Sequence, residues 1–168
     1  MEREQLRALQ TPLKERYRSE PDAAQITLSA TGSLGDGVSC SVKTGRATAE
    51  AGLHPASGGD GSLLCSGDML LEALVACAGV TLRAVATSLG IVVASGRVRA
   101  EGDLDFRGTL GVDRDAPVGF SSIRLSFDLE TDADEEQRAT LERLTERYCV
   151  VYQTIVSSPT LTTSVARV

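Results

Sequence analysis

The sequence predicts an α+β protein in which helices cover an antiparallel sheet. Short stretches in which apolar and polar residues alternate predict strands, and one apolar segment of about two dozen residues carries helix signals at both ends. Three strands come before this helix and two after it, followed by further helices and one last strand, an order typical of α+β rather than α/β proteins. The 168 residues suffice for one complete core but are too few for two domains.

The N-terminal third divides into an arm and a small sheet. Residues 1–22 are charged, contain Pro12 and Pro21, and show weak helical spacing of leucines, so we expect a helical arm ahead of a single domain at 23–168. Residues 26–51 alternate in hydropathy and are broken by Gly-Asp-Gly and Thr-Gly turn signals. This pattern predicts a three-stranded antiparallel meander.

A long central helix is predicted next. Ser66 is the expected N-cap, Asp68 suits the positive first turn, and Gly90 is the expected stop. Between positions 69 and 82 the one charged residue is Glu72. A helix that is apolar on nearly every side is usually buried on nearly every side, so we expect it at the centre of the core.

The second half returns to strands and then to helices. Residues 97–107 and 122–131 alternate almost perfectly, which predicts two strands with one solvated face each. The remaining predicted elements are a helix over 132–148 capped by Asp132 or Asp134, a short apolar helix from Cys149 that ends before Pro159, and a final strand over 161–168.

Charge and hydropathy exclude several classes of function. A net charge of −6 argues against a nucleic-acid partner, because phosphate binding needs a basic face. We find no run of about 18 consecutive apolar residues, so we expect no membrane-spanning helix. The first ten residues lack the apolar core of a secretory signal. These features predict a cytoplasmic protein without a membrane partner.

The four cysteines raise a choice between structure and chemistry. Their spacing contains no Cys-x-x-Cys pair and the chain has one histidine, so we expect neither a metal site nor a cofactor. A reducing cytoplasm also argues against structural disulfides. Cys40 falls on the apolar face of a predicted strand, so we expect it to be a small core residue. Cys77 and Cys149 lie on apolar helical segments, where they are either core thiols or redox-active ones.

Two segments resemble a known family. The run LLCSGDMLLEALVACAGVTLRAVA resembles the central helix of the OsmC/Ohr family, and RYCVVYQTI resembles the segment that carries the family's second cysteine. The order of elements also matches over about residues 24–168. The resemblance implies an OsmC-like fold, in which antiparallel sheets wrap around long central helices in an intertwined homodimer.

The same resemblance implies an activity. It implies a thiol-dependent peroxidase that reduces organic hydroperoxides in defence against oxidative stress, with Cys77 as the peroxidatic and Cys149 as the resolving cysteine. A dithiol, with a dihydrolipoyl group as the best precedent, would reopen the disulfide. Family members hold an arginine and a glutamate near the thiolate. Here Arg46 is the nearest basic substitute for that arginine, and Asp68 and Glu72 are the nearest acids.

Two other functions stay open. The chain could be a non-enzymatic OsmC-like module that binds an apolar small molecule, with structural thiols. It could also use another cysteine chemistry such as acyl transfer, which needs a base beside the thiol, and His54 is the one imidazole. Cys65 lies twelve residues before Cys77, which is about 18 Å along a straight helix, so these two thiols cannot pair within one chain if Cys65 starts the helix.

Overall fold

The computed structural model of the chain describes residues 2–25, 27, 32–34, 39–44 and 47–166, and the side chains of 21, 32–34, 39–44 and 47 lie outside that description. The helices are α1 (Arg3–Ser19), α2 (Ser66–Leu89), α3 (Phe106–Thr109), α4 (Glu135–Tyr148) and α5 (Val150–Val156). The strands are β1 (Gly32–Leu34), β2 (Ser39–Thr44), β3 (Ala47–Gly52), β4 (Leu64–Cys65), β5 (Val93–Leu104) and β6 (Phe120–Thr131).

The predicted N-terminal meander is confirmed, with one strand added. β1, β2 and β3 are antiparallel neighbours, and β4 pairs with β3 in parallel. Leu34 lies opposite Cys40 in the β1–β2 register. The predicted Gly-Asp-Gly turn at 35–37 lies outside the described residues. The apolar positions 26 and 28–30 that predicted the first strand also lie outside them.

The N-terminal helix is confirmed as α1, which continues through Pro12. Its first turns approach the last turn of α2, and the two helices enclose a cavity of about 180 Å³ lined by Arg3, Leu6, Arg7, Gln10, Lys14 and Ser88. The division of the chain into an arm and a domain stays a prediction.

The central helix is confirmed over 24 residues, with a different N-cap. Cys65, not Ser66, occupies that position, because its backbone is still extended and it ends β4. Gly90 ends the helix as predicted. Its φ of 75° is left-handed, which a glycine adopts without strain, and its N–H bonds the carbonyls of Ala86 and Thr87.

Burial of α2 on nearly every side was a wrong prediction for the single chain. Its buried side chains lie on one face, which contacts β5, α4 and α5: Leu74, Ala78, Leu82, Val85 and Ala86. Of its most apolar stretch 28% is buried, and Val80 is 73% exposed. With a mean hydropathy of 1.8, α2 is also long and apolar enough, by length and composition alone, to cross a membrane. The absence of a run of about 18 consecutive apolar residues had predicted no such helix.

β5 and β6 form the predicted antiparallel pair. Their inward side chains pack against α2 and α5, as the alternation predicted: Val98, Ala100, Ile123, Leu125 and Phe127. β5 runs from Val93 to Leu104, four residues earlier at its start than predicted. The alternation over 97–107 also places Phe106 on the apolar face of this strand. Phe106 instead begins α3, because the Asp105 carboxylate caps the turn by accepting the Arg107 N–H.

α4 begins at the predicted cap. Asp134 accepts the N–H of Gln137, whose side chain accepts the Asp134 N–H in return, so both ends of this capping box are bonded. The predicted final strand is wrong over 161–166, where the backbone forms no strand. A strand needs a neighbour to bond, and this segment pairs with none of the described strands. Leu161 is 85% exposed there.

The core predicts a large loss of stability on truncation of Leu141. This side chain is 1% exposed and packs on Leu82, Val85 and Val93. We expect Leu141→Ala to lower the free energy of unfolding by about 2–5 kcal/mol, from lost transfer energy and the cavity left behind. Urea denaturation measures the change. Leu161→Ala, at an exposed position, is the control, and an equal loss in both variants would contradict the assigned core.

Candidate functional site

The fold brings Cys77 and Cys149 together. Cys77 projects from the middle of α2, and Cys149 stands at the junction of α4 and α5, 72 residues later. Cys149 is fully buried in one apolar cluster with Leu74 and Ala78, and the half-buried Cys77 packs against that cluster. Both thiols are free, and their side chains interact. Two apolar helical faces therefore converge on one pair of sulfur atoms.

The surroundings of Cys77 favour its thiolate. Burial raises the pKa of the Cys77 thiol, but the backbone N–H groups of Val151 and Val150, the Cys149 thiol and the Thr81 hydroxyl lower it. The sum is a pKa below the ordinary cysteine value. Hydrogen-bond donors that point at sulfur stabilise the charged form, and none of these main contributors is a charged side chain.

Cys149 has the opposite tendency. Burial is the largest cause that raises the pKa of the Cys149 thiol, and the neighbouring Cys77 raises it further. The N–H groups of Tyr152 and Val151 offset part of this shift. The Tyr152 N–H lies 3.5 Å from the Cys149 sulfur. As the pH rises, the Cys77 thiol therefore loses its proton before the Cys149 thiol does. This difference suits a pair in which Cys77 is the attacking thiol and Cys149 reacts second.

The two directions predict separate alkylation profiles. With iodoacetamide at varied pH, we expect the midpoint for Cys77 below the usual ~8.5 of a free cysteine and the midpoint for Cys149 above it. The folded, full-length chain is labelled first and then digested, and mass spectrometry of the peptides gives both profiles in one experiment. A Cys77 that reacts no earlier than Cys149 as the pH rises would contradict this assignment.

Of the predicted electrostatic partners of Cys77, the two that the structure describes, Asp68 and Glu72, are not assembled around it. Asp68 and Glu72 are exposed on α2 and line a surface depression with Val75 and Ala76. Neither is a main cause of the Cys77 pKa. Arg46 lies outside the described residues. Backbone N–H groups lower the pKa of Cys77, an effect that the resemblance assigns to an arginine.

Cys65 and His54 lie elsewhere. Cys65 precedes the first turn of α2, twelve positions before Cys77. The His54 ring stacks on Phe106 with centroids 5.0 Å apart, and its Nδ1 accepts the Ala56 N–H at 3.0 Å. Because this nitrogen is already bonded within the loop and His54 is not a main influence on either thiol, the acyl-transfer interpretation loses its base.

Some site residues were missed by the sequence analysis. Thr81 is four positions after Cys77 on one helix, a spacing that places two side chains on the same face and could have identified it. The part played by the Val150 and Val151 N–H groups was also missed, although the start of α5 was predicted to within one residue, because the direction of a backbone N–H depends on the angle at which the helix packs. Across the described parts of the chain, no three His, Cys, Asp or Glu side chains are grouped to hold a metal ion.

A wide cavity lies beside the thiol cluster. It has a volume of about 690 Å³ and opens between β6 and α4. Its walls combine apolar and polar side chains. The apolar ones are Leu82, Leu125, Phe127, Leu129 and Leu141, and the polar ones are Ser126, Asp128, Arg138 and Glu142. Neither thiol lines it.

Comparison with known proteins identifies the family. The sequence model of the OsmC-like protein family matches residues 59–164, a range that includes both Cys77 and Cys149. The chain belongs to the OsmC family. OsmC proteins are generally soluble. A search of curated protein sequences finds no match to this chain.

Solved OsmC structures share the fold at low sequence identity. An OsmC-like protein from Mycoplasma pneumoniae has a TM-score of 0.67 and 15% identity over 80% of this chain and 90% of its own. The organic hydroperoxide resistance protein OsmC from Legionella pneumophila has a TM-score of 0.63 and 16% identity over 80% of this chain and 92% of its own. The organic hydroperoxide resistance protein OhrB of Bacillus subtilis has a TM-score of 0.55 and 17% identity over 79% of this chain and 93% of its own. These similarities establish the α+β OsmC-like fold.

Proposed function

We propose that this OsmC protein is a thiol-dependent peroxidase that reduces organic hydroperoxides through Cys77 and Cys149. The observation that carries the proposal is the pairing of two free thiols, of which Cys77 has the lowered pKa and Cys149 the raised one. Peroxide reduction needs a thiolate to attack and a second thiol within reach to close the disulfide. The Legionella pneumophila and Bacillus subtilis neighbours are organic hydroperoxide resistance proteins, which supports the same class of substrate.

The chemistry takes two steps on the chain's own sulfur atoms. The Cys77 thiolate attacks the distal oxygen of the hydroperoxide, the O–O bond breaks, and the alkoxide takes up a proton to leave as the alcohol. Cys77 is now a sulfenic acid. The Cys149 sulfur attacks the Cys77 sulfur, the S–O bond breaks, and the Cys149 proton leaves with the hydroxide as water. An external dithiol then reduces the Cys77–Cys149 disulfide to two thiols and is itself oxidised to a disulfide. A lipoyl-type dithiol is our candidate for this reductant.

Stopped-flow oxidation tests the proposal. We expect the chain to consume cumene hydroperoxide faster than hydrogen peroxide, because apolar residues surround the thiols. We expect turnover to continue with dihydrolipoamide as the reductant. Mass spectrometry after one equivalent of the organic hydroperoxide should find a linked Cys77–Cys149 peptide. Free thiols beside unconsumed hydroperoxide would overturn the proposal.

The second candidate is a non-enzymatic module that binds an apolar small molecule. The observation that favours it is the 690 Å³ cavity between β6 and α4, which neither thiol lines. A ligand in this cavity would contact the Phe127 and Leu129 side chains without needing a redox step. The two functions differ in one readout, since the peroxidase requires a Cys77–Cys149 disulfide on mild oxidation by hydroperoxide and the binding module does not require one.

We also propose that two copies associate and that the protein acts in the cytoplasm. The exposed face of α2 supports the dimer, because a soluble protein rarely leaves a large apolar surface open to water. Leu70 is 42% exposed and Val80 73% exposed on this helix. A reducing cytoplasm suits a pair of thiols that must be restored after every turnover.

A further inference from the structure

α4 and α5 meet at Cys149 with no linker between them. Cys149 is the C-cap of the first helix and the N-cap of the second, with φ of −74° and ψ of 110°. Its N–H bonds the Thr145 carbonyl at 2.9 Å, and its own carbonyl accepts the Gln153 N–H at 2.9 Å. The angle between the two helices therefore sets the position of the Cys149 sulfur and of the N–H groups that follow it.

Two side chains of α5 contact the last turn of α4. The Gln153 side-chain amide donates to the Glu146 carbonyl at 2.9 Å. This carbonyl is one of the last four of α4, which have no partner within their own helix. The Tyr152 hydroxyl interacts with the Glu146 carboxylate. We call the contacts of Gln153 and Tyr152 with Glu146 the elbow clamp.

The elbow clamp lies on the segment that faces Cys77. Val151 and Tyr152, which follow Cys149 closely, pack against the same apolar cluster as Cys77, and the Tyr152 N–H bonds the Cys149 sulfur. The backbone N–H groups of Val150 and Val151 help to lower the Cys77 pKa. Cys77 belongs to α2, so its position does not follow a movement of α5. A change in the α4–α5 angle would therefore separate the donors and the Cys149 sulfur from Cys77 together.

We propose that the Gln153–Glu146 contact is a positioning device that holds Cys149 and the Val150 and Val151 N–H groups against Cys77, and so sets the rate at which the two thiols join. The catalytic meaning of this rate rests on the proposed function, whereas the positioning itself does not. Gln153 touches neither sulfur and acts through the elbow. Its removal thus affects two measurable properties, the closure of the disulfide and the ionisation of Cys77.

The test compares Gln153→Ala with Thr154→Ala in the full chain. Both side chains are exposed, and the Thr154 hydroxyl bonds the Val150 carbonyl within α5 alone, so this variant removes a hydrogen bond that does not cross the elbow. Gln153→Lys restores a donor near the end of α4. Each protein is oxidised with cumene hydroperoxide and, separately, with diamide, an azo compound that accepts the two hydrogens of two thiols. The linked Cys77–Cys149 peptide is followed by rapid quench and mass spectrometry.

We expect Gln153→Ala to slow disulfide closure about fivefold, the effect of one net hydrogen bond, and to move the Cys77 alkylation midpoint towards the ordinary cysteine value. Thr154→Ala should change neither property, and Gln153→Lys should recover most of the rate. A merely structural role for Gln153 would lower the melting temperature without moving the alkylation profile of Cys77.

The outcomes separate this inference from the proposed function. If diamide joins the thiols with the expected dependence on Gln153 while hydroperoxide does not react, the positioning stands and the peroxidase falls. If hydroperoxide turns over and Gln153→Ala matches the native chain in closure rate and alkylation profile, the positioning falls. A native chain in which neither reagent links Cys77 to Cys149 overturns both.

Discussion

Cys77→Ser should reduce the consumption of organic hydroperoxide to the rate of buffer alone. A serine hydroxyl in this environment does not ionise near neutral pH and cannot take the Cys77 role as a nucleophile towards peroxide. The substitution is nearly isosteric at a half-buried position, so the fold should persist. Peroxide consumption is followed with cumene hydroperoxide in excess, and circular dichroism confirms that the variant is folded.

Cys149→Ser should separate the two steps. Cys77 keeps the N–H groups of Val150 and Val151, so it still reacts with the hydroperoxide. The sulfur that packs beside Cys77 is then missing, so we expect one equivalent to be consumed and recycling by a dithiol to stop. Under excess peroxide the sulfenic acid should proceed to sulfinic acid, which adds two oxygen atoms to the Cys77 peptide in the mass spectrum.

Cys65→Ser is the matched control for both variants. Cys65 is also a half-buried free thiol at an end of α2, and it takes no part in the shifts at Cys77. It should consume peroxide at the native rate. Equal loss in all three variants would show general damage rather than a thiol mechanism, and a fully active Cys77→Ser chain would exclude Cys77 as the peroxidatic residue.

The elements that sequence reasoning placed correctly are those with strong local signals. α2 was predicted to within a residue because an apolar run of this length has a left-handed glycine at its end. The β5–β6 pair followed from alternation that burial on one face enforces. The final strand failed because pairing is a tertiary event, and the alternation in 161–166 carries no information about whether a neighbouring strand is present.

The candidate site was predictable in its sulfur atoms and not in its electrostatics. Cys77 and Cys149 stand on apolar helical segments, and apolar faces converge on a core, so their approach could be anticipated. The donors that lower the Cys77 pKa are backbone N–H groups, which every residue but proline carries. Their direction depends on the angle at the α4–α5 junction, and that angle is set by tertiary contacts such as Gln153 with Glu146.

Val80→Glu should prevent association of the chain and destabilise it strongly. Val80 lies in the apolar middle of α2 and is 73% exposed, so in a single chain a glutamate there would meet water at little cost. In the proposed dimer the same position is covered by the second copy. An unpaired carboxylate buried in that interface costs on the order of 3–5 kcal/mol. Because obligate dimers often have no stable folded monomer, we expect a lower melting temperature as well as dissociation.

Val112→Glu is the control for charge and exposure. Val112 is also 73% exposed, but it lies in the loop between α3 and β6. A surface substitution of this kind should change stability by less than about 0.5 kcal/mol. Sedimentation velocity at micromolar concentration gives the oligomeric state of the native chain and of both variants. A native chain that sediments as a stable folded monomer, or a Val80→Glu variant that remains a dimer, would refute the association of two copies through α2, and the exposed face of that helix would then need another explanation.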